Sequence, residues 1–542
     1  MGSTLACFRA WPIARLPPLM TFLARDAIEI SPYLFRLRSL KSALAVVAAD
    51  LFHLQRRLAV AFVSLLLFYL PLIDVRYYFL DDVGRTLVSK GYMDAGRPLA
   101  HVLLGAFTLG PPFTDIAPAP QLLGVLALAV AGALLGTLLG MQSAVSIGIF
   151  AVALGGSPYF LENMSFRFDS GFMALGVLCA IAPFWLAGRG HSVTIGAGSA
   201  LLLASLCLYQ PTINCYVVIV LYLAAQSLPD KSVRATSAFA LRCAVPLFVA
   251  VVTYWLLWKT IAAAFVRYLD AQGQFAPLKS ALGTAASNLA QFARMVVRDW
   301  EATHLALIWG LMALVAVICL ANRIAQSSDR SRIEKVGVGA LAIAFLALTL
   351  PAAFLAQIFL SNPGTAHRTF TGTAMLTAIF TAAAWSGAGL LGRVGRILVV
   401  LQVLALVGIS YTYANALRTQ ERYDDRITSA IVHDIQEVAP SGELWSFAIS
   451  GWTGRSPMTE LALAKYPALE ALVFSVMYQG SYWATARLRT FGLWMKPASL
   501  SEAEKQEIIC RSTPRKRNAV YDLYVVDKMA FIRFKNDGVK CL

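Results

Sequence analysis

The stretch that decides the fold is "RRLAVAFVSLLLFYLPLIDVRYYFLDDVGR", Arg56 to Arg85. A basic pair opens it, an apolar run over residues 58–79 follows, and two adjacent carboxylates, Asp81 and Asp82, close it. The run is long enough to cross a bilayer, whose hydrocarbon core requires about 20 apolar residues in a helix. Arginines before such a run mark its cytoplasmic end. The carboxylates therefore emerge on the opposite face.

The rest of the chain repeats the apolar part of this pattern. Of 542 residues, 58% are hydrophobic and 14% charged, and the mean hydropathy is +0.64. Soluble domains carry about 25% charged residues, so the composition excludes that class. Apolar runs predict helices at 58–79, 121–140, 143–157, 171–187, 192–209, 212–227, 241–262, 303–321, 336–360, 370–390 and 396–414, about eleven spans. The third run is short and reads as a re-entrant or tilted piece. The fold class is mainly α, a polytopic membrane protein.

A net charge of +16 raises the question of nucleic acid. The basic residues instead sit in short loops: Arg56 with Arg57, Arg189, Lys231 with Arg234, Arg323 with Arg330 and Arg332, and Arg393 with Arg396. Counting spans from a cytoplasmic start places every one of these clusters on the cytoplasmic side, as the positive-inside rule requires. No basic stripe with interleaved aromatics points to nucleic acid. The expected orientation puts the N-terminus inside and the C-terminus outside.

Three units follow. Residues 1–55 read as a cytoplasmic lead-in; "TLAC" at Thr4–Cys7 lacks a preceding apolar segment and is not read as a cleavage site. Residues 56–414 form the membrane domain. Residues 415–542 contain the strand-like runs "ELWSFAIS" and "YDLYVVDKMAFIRF" and are expected to form a small extracytoplasmic α/β domain. There Cys510 and Cys541 either pair in an oxidising compartment or remain free thiols.

Chemistry is expected in the outer loops, because ionisable side chains at a membrane are costly and commonly functional. Adjacent Asp81 and Asp82 cannot share one helix face, so they serve different partners. One could take a proton from a substrate hydroxyl; the other could orient an arginine or, with a phosphate, coordinate a divalent cation. Equally, "DDVGR" could simply begin a helix whose first turn favours acids. Arg85 lies within helical reach of the pair, and "GRPLAH" adds Arg97. The second loop, "PYFLENMSFRFDSGF", packs Glu162, Asn163, Arg167 and Asp169 among aromatics, suited to a polar pocket or to a structural ion pair. "LYQPTIN" supplies Tyr209 and Gln210 at a turn, and "SNPGTAHRTF" places His367 and Arg368 at a helix start, a natural phosphate site. The scattered histidines have no metal-ligand spacing, and no nucleotide-binding motif occurs in a convincing context.

In order, "DDVGR", "GRPL", "SPYFLENMSFRFDSGFMAL" and "LYQPTIN" resemble the Gtr type-II family of bacterial membrane glucosyltransferases, over roughly residues 70–225. The resemblance implies a GT-C-type architecture with its active site on the outer face. It also implies a polyprenyl-phosphate sugar donor, glucose above all, and an O-antigen or other surface-glycan acceptor. By that resemblance Asp81 and Asp82 match the family's acidic pair, Arg85 and Arg97 its first-loop arginines, Arg167 and Asp169 its second-loop pair, and Arg368 a further, more generic position. One base and nearby arginines suit single displacement with inversion. The competing reading is a transporter or flippase for a lipid-linked sugar. That reading calls for polar residues mid-helix, whereas here the acids gather at outer helix ends.

Overall fold

A computed structural model describes residues 55–186, 191–265, 274–301, 303–327, 330–440, 442, 444–539 and 541. The lead-in before Gln55 and Arg189 lie outside the described residues. The first span, α1 (Gln55–Asp74), ends earlier than its apolar run predicts. The chain then passes through Arg76 and Leu80, both at positive φ (58° and 45°), before α2 (Asp81–Val88) begins. A left-handed leucine is strained backbone. It also breaks the helix and redirects the chain, so the carboxylates open a new helix instead of extending α1.

Every predicted run is helical, but the runs differ in kind. Helices long and apolar enough to cross a membrane are α1, α4 (Ala119–Leu138), α10 (Val233–Phe265), α12 (Leu305–Gln326), α13 (Arg332–Ala352) and α15 (Gly389–Val438). That makes six among the described residues, or seven if α5 (Ala144–Gly155) and α6 (Pro158–Ser165), bent by 77°, count as one broken span or re-entrant loop. The run predicted as short is therefore the bent one. The shorter apolar helices are α3 (Pro98–Thr108), α7 (Ser170–Ile181), α8 (His191–Leu208), α9 (Ile213–Ser227) and α14 (Thr371–Trp385). Most of α7, α9 and α14 is buried by other helices. Their apolarity serves packing against protein as much as contact with lipid, which is why hydropathy alone counts them as spans. An amphipathic helix, α11 (Ala281–Glu301), completes the set.

The two ends of the bundle differ chemically. Arg57 starts α1 and donates to the Gln142 carbonyl (2.8 Å) in the turn before α5. Arg323 pairs with Asp230 just past the end of α9. Asp81 follows the other end of α1, and Gln210 precedes α9, so the outer-loop residues collect at the opposite end.

The predicted boundary at 415 falls inside α15. This helix of 50 residues is about 75 Å long at 1.5 Å per residue, far beyond a bilayer core of about 30 Å. Its second half is amphipathic, and Ile427, Ile431 and Ile435 join Phe447, Leu523, Ile532 and Phe534 in a separate core. That core covers a five-stranded sheet of order β2-β1-β5-β4-β3: β1 (Ser446–Ser450), β2 (Lys496–Pro497), β3 (Lys516–Arg517), β4 (Tyr521–Val526) and β5 (Met529–Phe534). Strand β1 runs parallel to β2 and β5, while β4 pairs antiparallel with β5 and β3. Helices α16 (Pro457–Lys465), α17 (Tyr482–Thr490) and α18 (Glu502–Arg511) connect the strands. Cys510 and Cys541 form a disulfide with Cα atoms 5.4 Å apart.

Two glycines separate packing from backbone effects. A methyl at Gly372, at the start of α14, would collide with the Ala353 carbonyl, whereas at exposed Gly283 it meets nothing within 4 Å. Gly372→Ala is expected to cost about 1–3 kcal/mol. Gly283→Ala, inside a helix, is expected to gain about 0.5–1 kcal/mol. Thermal unfolding in detergent reads opposite shifts.

Candidate active site

Two consecutive residues on a helix point about 100° apart, and α2 uses this to separate its acids. Asp81 is exposed and makes no hydrogen bond or ion pair among the described residues. Asp82 is fully buried; its Oδ2 accepts the Arg167 backbone N–H at 2.7 Å, and its Oδ1 has no hydrogen-bond partner among the described residues. Burial, assisted by the charge of Asp169, pushes the Asp82 carboxyl well above the usual carboxylate range. Both acids also occupy the first turn of α2, where the helix dipole favours negative charge. The helix-start reading and the functional reading therefore coexist.

Asp169 is the centre of the site. It stands at the N-cap position of α7, its side chain turned to other partners, and lies buried. Tyr92 donates its hydroxyl to Oδ1 (2.6 Å), Arg97 Nη1 donates to Oδ2 (3.1 Å), and Arg85 Nε lies 3.5 Å from Oδ1. The guanidiniums are further held by aromatic faces: Arg85 sits 4.3 Å over Tyr92 and Arg97 4.6 Å over Tyr209. Arg85 also donates to the carbonyls of Lys90 and Gly91 just beyond the end of α2.

Arg167 and Asp169 do not pair with each other. Arg167 turns to Asp115, donating from Nε (2.9 Å) and Nη2 (2.6 Å), with Tyr78 adding its hydroxyl to the same oxygen at 2.9 Å. Asp115 precedes α4 and was not expected from the sequence. Glu162 faces Arg368 instead, accepting its backbone N–H and Nη1, each at 2.6 Å. Tyr209 donates to the Arg368 carbonyl (2.9 Å), and Gln210 clamps the first loop through the carbonyls of Ala95 and Gly96. Asn163 donates to the Met173 sulfur and belongs to the packing below.

His367 lies apart in a buried cluster. Its Nε2 is 2.8 Å from Asp299 Oδ2, the same oxygen that accepts the Tyr159 hydroxyl at 2.9 Å. Trp300 donates to Tyr159 (3.2 Å), and Tyr159 stacks on the His367 ring. Asp299 also escaped the sequence reading, although a signal existed. Asn288, Phe292, Met295 and Asp299 recur at helical spacing on the inward stripe of α11, so an acid stands where an apolar residue belongs.

The structure thus gathers Asp81, Asp82, Arg85, Arg97, Glu162, Arg167, Asp169, Tyr209, Gln210 and Arg368 at one end of the bundle, with His367 bracing the last of these from behind. Four guanidiniums face three paired carboxylates, Asp115, Glu162 and Asp169, and the exposed Asp81 is the fourth carboxylate beside them. The exposed Asp81 acts electrostatically on both Arg85 and Arg368. Among the described residues, no three His, Cys, Asp or Glu side chains are placed to hold a metal ion.

The raised Asp82 carboxyl gives a pH prediction. A group whose folded pKa exceeds its unfolded value, about 3.9 for Asp, contributes stability fully below the unfolded value. That contribution is lost as pH rises through the folded pKa. Asp82→Asn cannot ionise, so its melting temperature relative to wild type is expected to climb from acid toward neutral and alkaline pH. Parallel melting curves for the two proteins at all pH values would contradict this.

Comparisons with known proteins identify the family. Over residues 70–382 the chain matches the family model described as "Glucosyl transferase GtrII", which takes in every site residue from Asp81 to Arg368. A protein of Salmonella phage P22, described as an uncharacterized 55.3 kDa protein in the gtrB 5′ region, is 31% identical over 152 residues. That alignment covers 28% of this chain and 31% of the phage protein, so the match spans about a third of that relative. No solved structure matches. The match over more than half of the chain, with the loop acids and arginines inside it, makes this protein a member of the GtrII glucosyl transferase family.

Proposed function

We propose that this protein moves a glucosyl unit from a polyprenyl-phosphate donor onto an O-antigen or other surface glycan, at the outer face of the bacterial inner membrane. Asp81 carries the reading. A general base must be ionised and within reach of the hydroxyl it deprotonates. Asp81 is exposed and unpaired, whereas Asp82 is buried and driven toward its neutral form. We therefore assign the base to Asp81 and give Asp82 a positioning role, holding the Arg167 backbone.

The arginines supply the other half of the reaction. Once Asp81 has taken the acceptor proton, Arg85 and Arg97 share the single charge of Asp169, leaving net positive charge for a phosphate departing from the anomeric carbon. With one exposed base, and the other site carboxylates among the described residues paired or, for Asp82, buried, the displacement is single and inverts the anomeric centre. Residues 56–414 serve as a GT-C-like membrane domain and 415–542 as an extracytoplasmic one, linked by α15. The Cys510–Cys541 disulfide supports an oxidising compartment for the latter. The basic clusters at the opposite end support a cytoplasmic N-terminus.

Purified protein in nanodiscs, given polyprenyl-phosphate glucose and acceptor polysaccharide, tests the assignment. Asp81→Asn is expected to lower transfer by about 10²–10⁴-fold, the usual contribution of a general base. Asp82→Asn, which keeps the shape of a neutral side chain, is expected to stay within about tenfold of wild type, a difference of about 1.4 kcal/mol. Full transfer by Asp81→Asn would overturn the reading, as would movement of lipid-linked glucose across the bilayer without its consumption.

A further inference from the structure

The C-terminal domain packs its helix α17 against α2, and Tyr482 is one point of that contact. The hydroxyl of Tyr482, at the first position of α17, comes within 3.2 Å of where a side chain on Gly84 would begin. Gly84 and Asp81 are three residues apart on α2 and so share a face. Despite this contact Tyr482 is 62% exposed. Its ring therefore lies in the open about one helical turn from Asp81.

Two more open rings continue from it. Trp452 and Tyr478 face each other in an antiparallel bridge, with the Thr453 N–H on the Met477 carbonyl (3.0 Å) and the Gln479 N–H on the Gly451 carbonyl (2.9 Å). This pattern is the non-hydrogen-bonded pair, in which opposed side chains stand closest and on one side. Each ring is 37% exposed. A turn, closed by the Ser481 N–H on the Tyr478 carbonyl (3.1 Å), brings the chain to Tyr482. Exposed rings in this number are expensive unless something covers them.

Their surroundings select what that is. Gln479, between two of the rings, donates to Glu502, a well-exposed carboxylate, and Arg455 lies 5.8 Å over Trp452. The exposed mid-helix positions of α10 are instead apolar, as at Phe248, Val249 and Val251, with Trp255 under Lys259 the exception nearer its end. A pyranose offers both chemistries at once. Its C–H face packs on the negative face of an aromatic ring, and its rim hydroxyls bond to amides and carboxylates.

We propose that Trp452, Tyr478 and Tyr482 form a stacking track for successive sugar rings of the acceptor polysaccharide, delivering its reactive unit to Asp81. The proposal rests on the glucosyl-transfer reading above. It assigns acceptor length recognition to the C-terminal domain.

The test uses full-length protein in nanodiscs and two probes: lipid-free polysaccharide released from the host cell surface by mild acid, and its single repeat unit. Binding is followed calorimetrically without donor. Trp452→Leu and Tyr478→Leu are expected to weaken polysaccharide binding about tenfold each, which is about 1.4 kcal/mol. The single repeat unit is expected to bind as to wild type. Trp452→Tyr, which keeps an aromatic face, restores most of the loss. Equal binding by the Leu and Tyr variants, or equal losses for both probes, would overturn the track. So would quenching of Trp452 fluorescence by brominated phospholipid, read as the difference from Trp452→Phe, because it would put the rings in lipid. If polysaccharide binds as described but no glucose is transferred, the catalytic reading fails and the track stands.

Discussion

One buried carboxylate organises the end of the bundle where the site residues gather. Asp169 lies out of water, and a buried charge persists only if paired and hydrogen-bonded. Its three partners, Tyr92, Arg85 and Arg97, all come from the first loop, while Asp169 itself begins α7. Satisfying it therefore folds the first loop down onto the second. Removing one member of such a pair typically costs about 3–5 kcal/mol, enough to make the arrangement of the loop nearly obligatory. Because Asp169 can balance only one arginine out of two, the same contact leaves the second guanidinium charge within electrostatic reach of Asp81.

Much of this was legible in the sequence. The membrane class, the helices and the residue types of the site follow from hydropathy and from charges placed at helix ends. The separation of Asp81 from Asp82 follows from helical geometry alone, since neighbours cannot share a face. Pairings were not legible. Arg167 and Asp169 are close in sequence, yet Phe168 is buried between them, and their side chains reach Asp115 and the first-loop arginines instead. Asp115 and Asp299 lie far along the chain from their partners, and nothing local identifies them except, for Asp299, its place on an apolar stripe. The eleven runs were real helices, but hydropathy cannot tell a helix wrapped by lipid from one wrapped by protein, and α7, α9 and α14 are the latter.

The boundary between membrane and C-terminal units was blurred for a related reason. A hydropathy window ends where charges begin, near Asn415, but α15 continues as an amphipathic helix whose apolar stripe changes neighbours from membrane helices to the sheet. Arg487 of α17 is clamped by Glu421 and Asp425 of α15. One rod thus carries both units and sets α17 against α2. The position of the domain over Asp81 is a consequence of that rigid connection.

We propose that Asp81, and not Asp82, removes the acceptor proton. Azide separates the two roles, because it is a nucleophile that needs no base. Polyprenyl-phosphate glucose would be incubated with Asp81→Ala or Asp82→Ala protein and sodium azide, and glucosyl azide measured with its anomeric configuration. The account predicts that azide restores turnover to Asp81→Ala alone, giving glucosyl azide of configuration opposite to the donor. Restoration in Asp82→Ala but not in Asp81→Ala would contradict it.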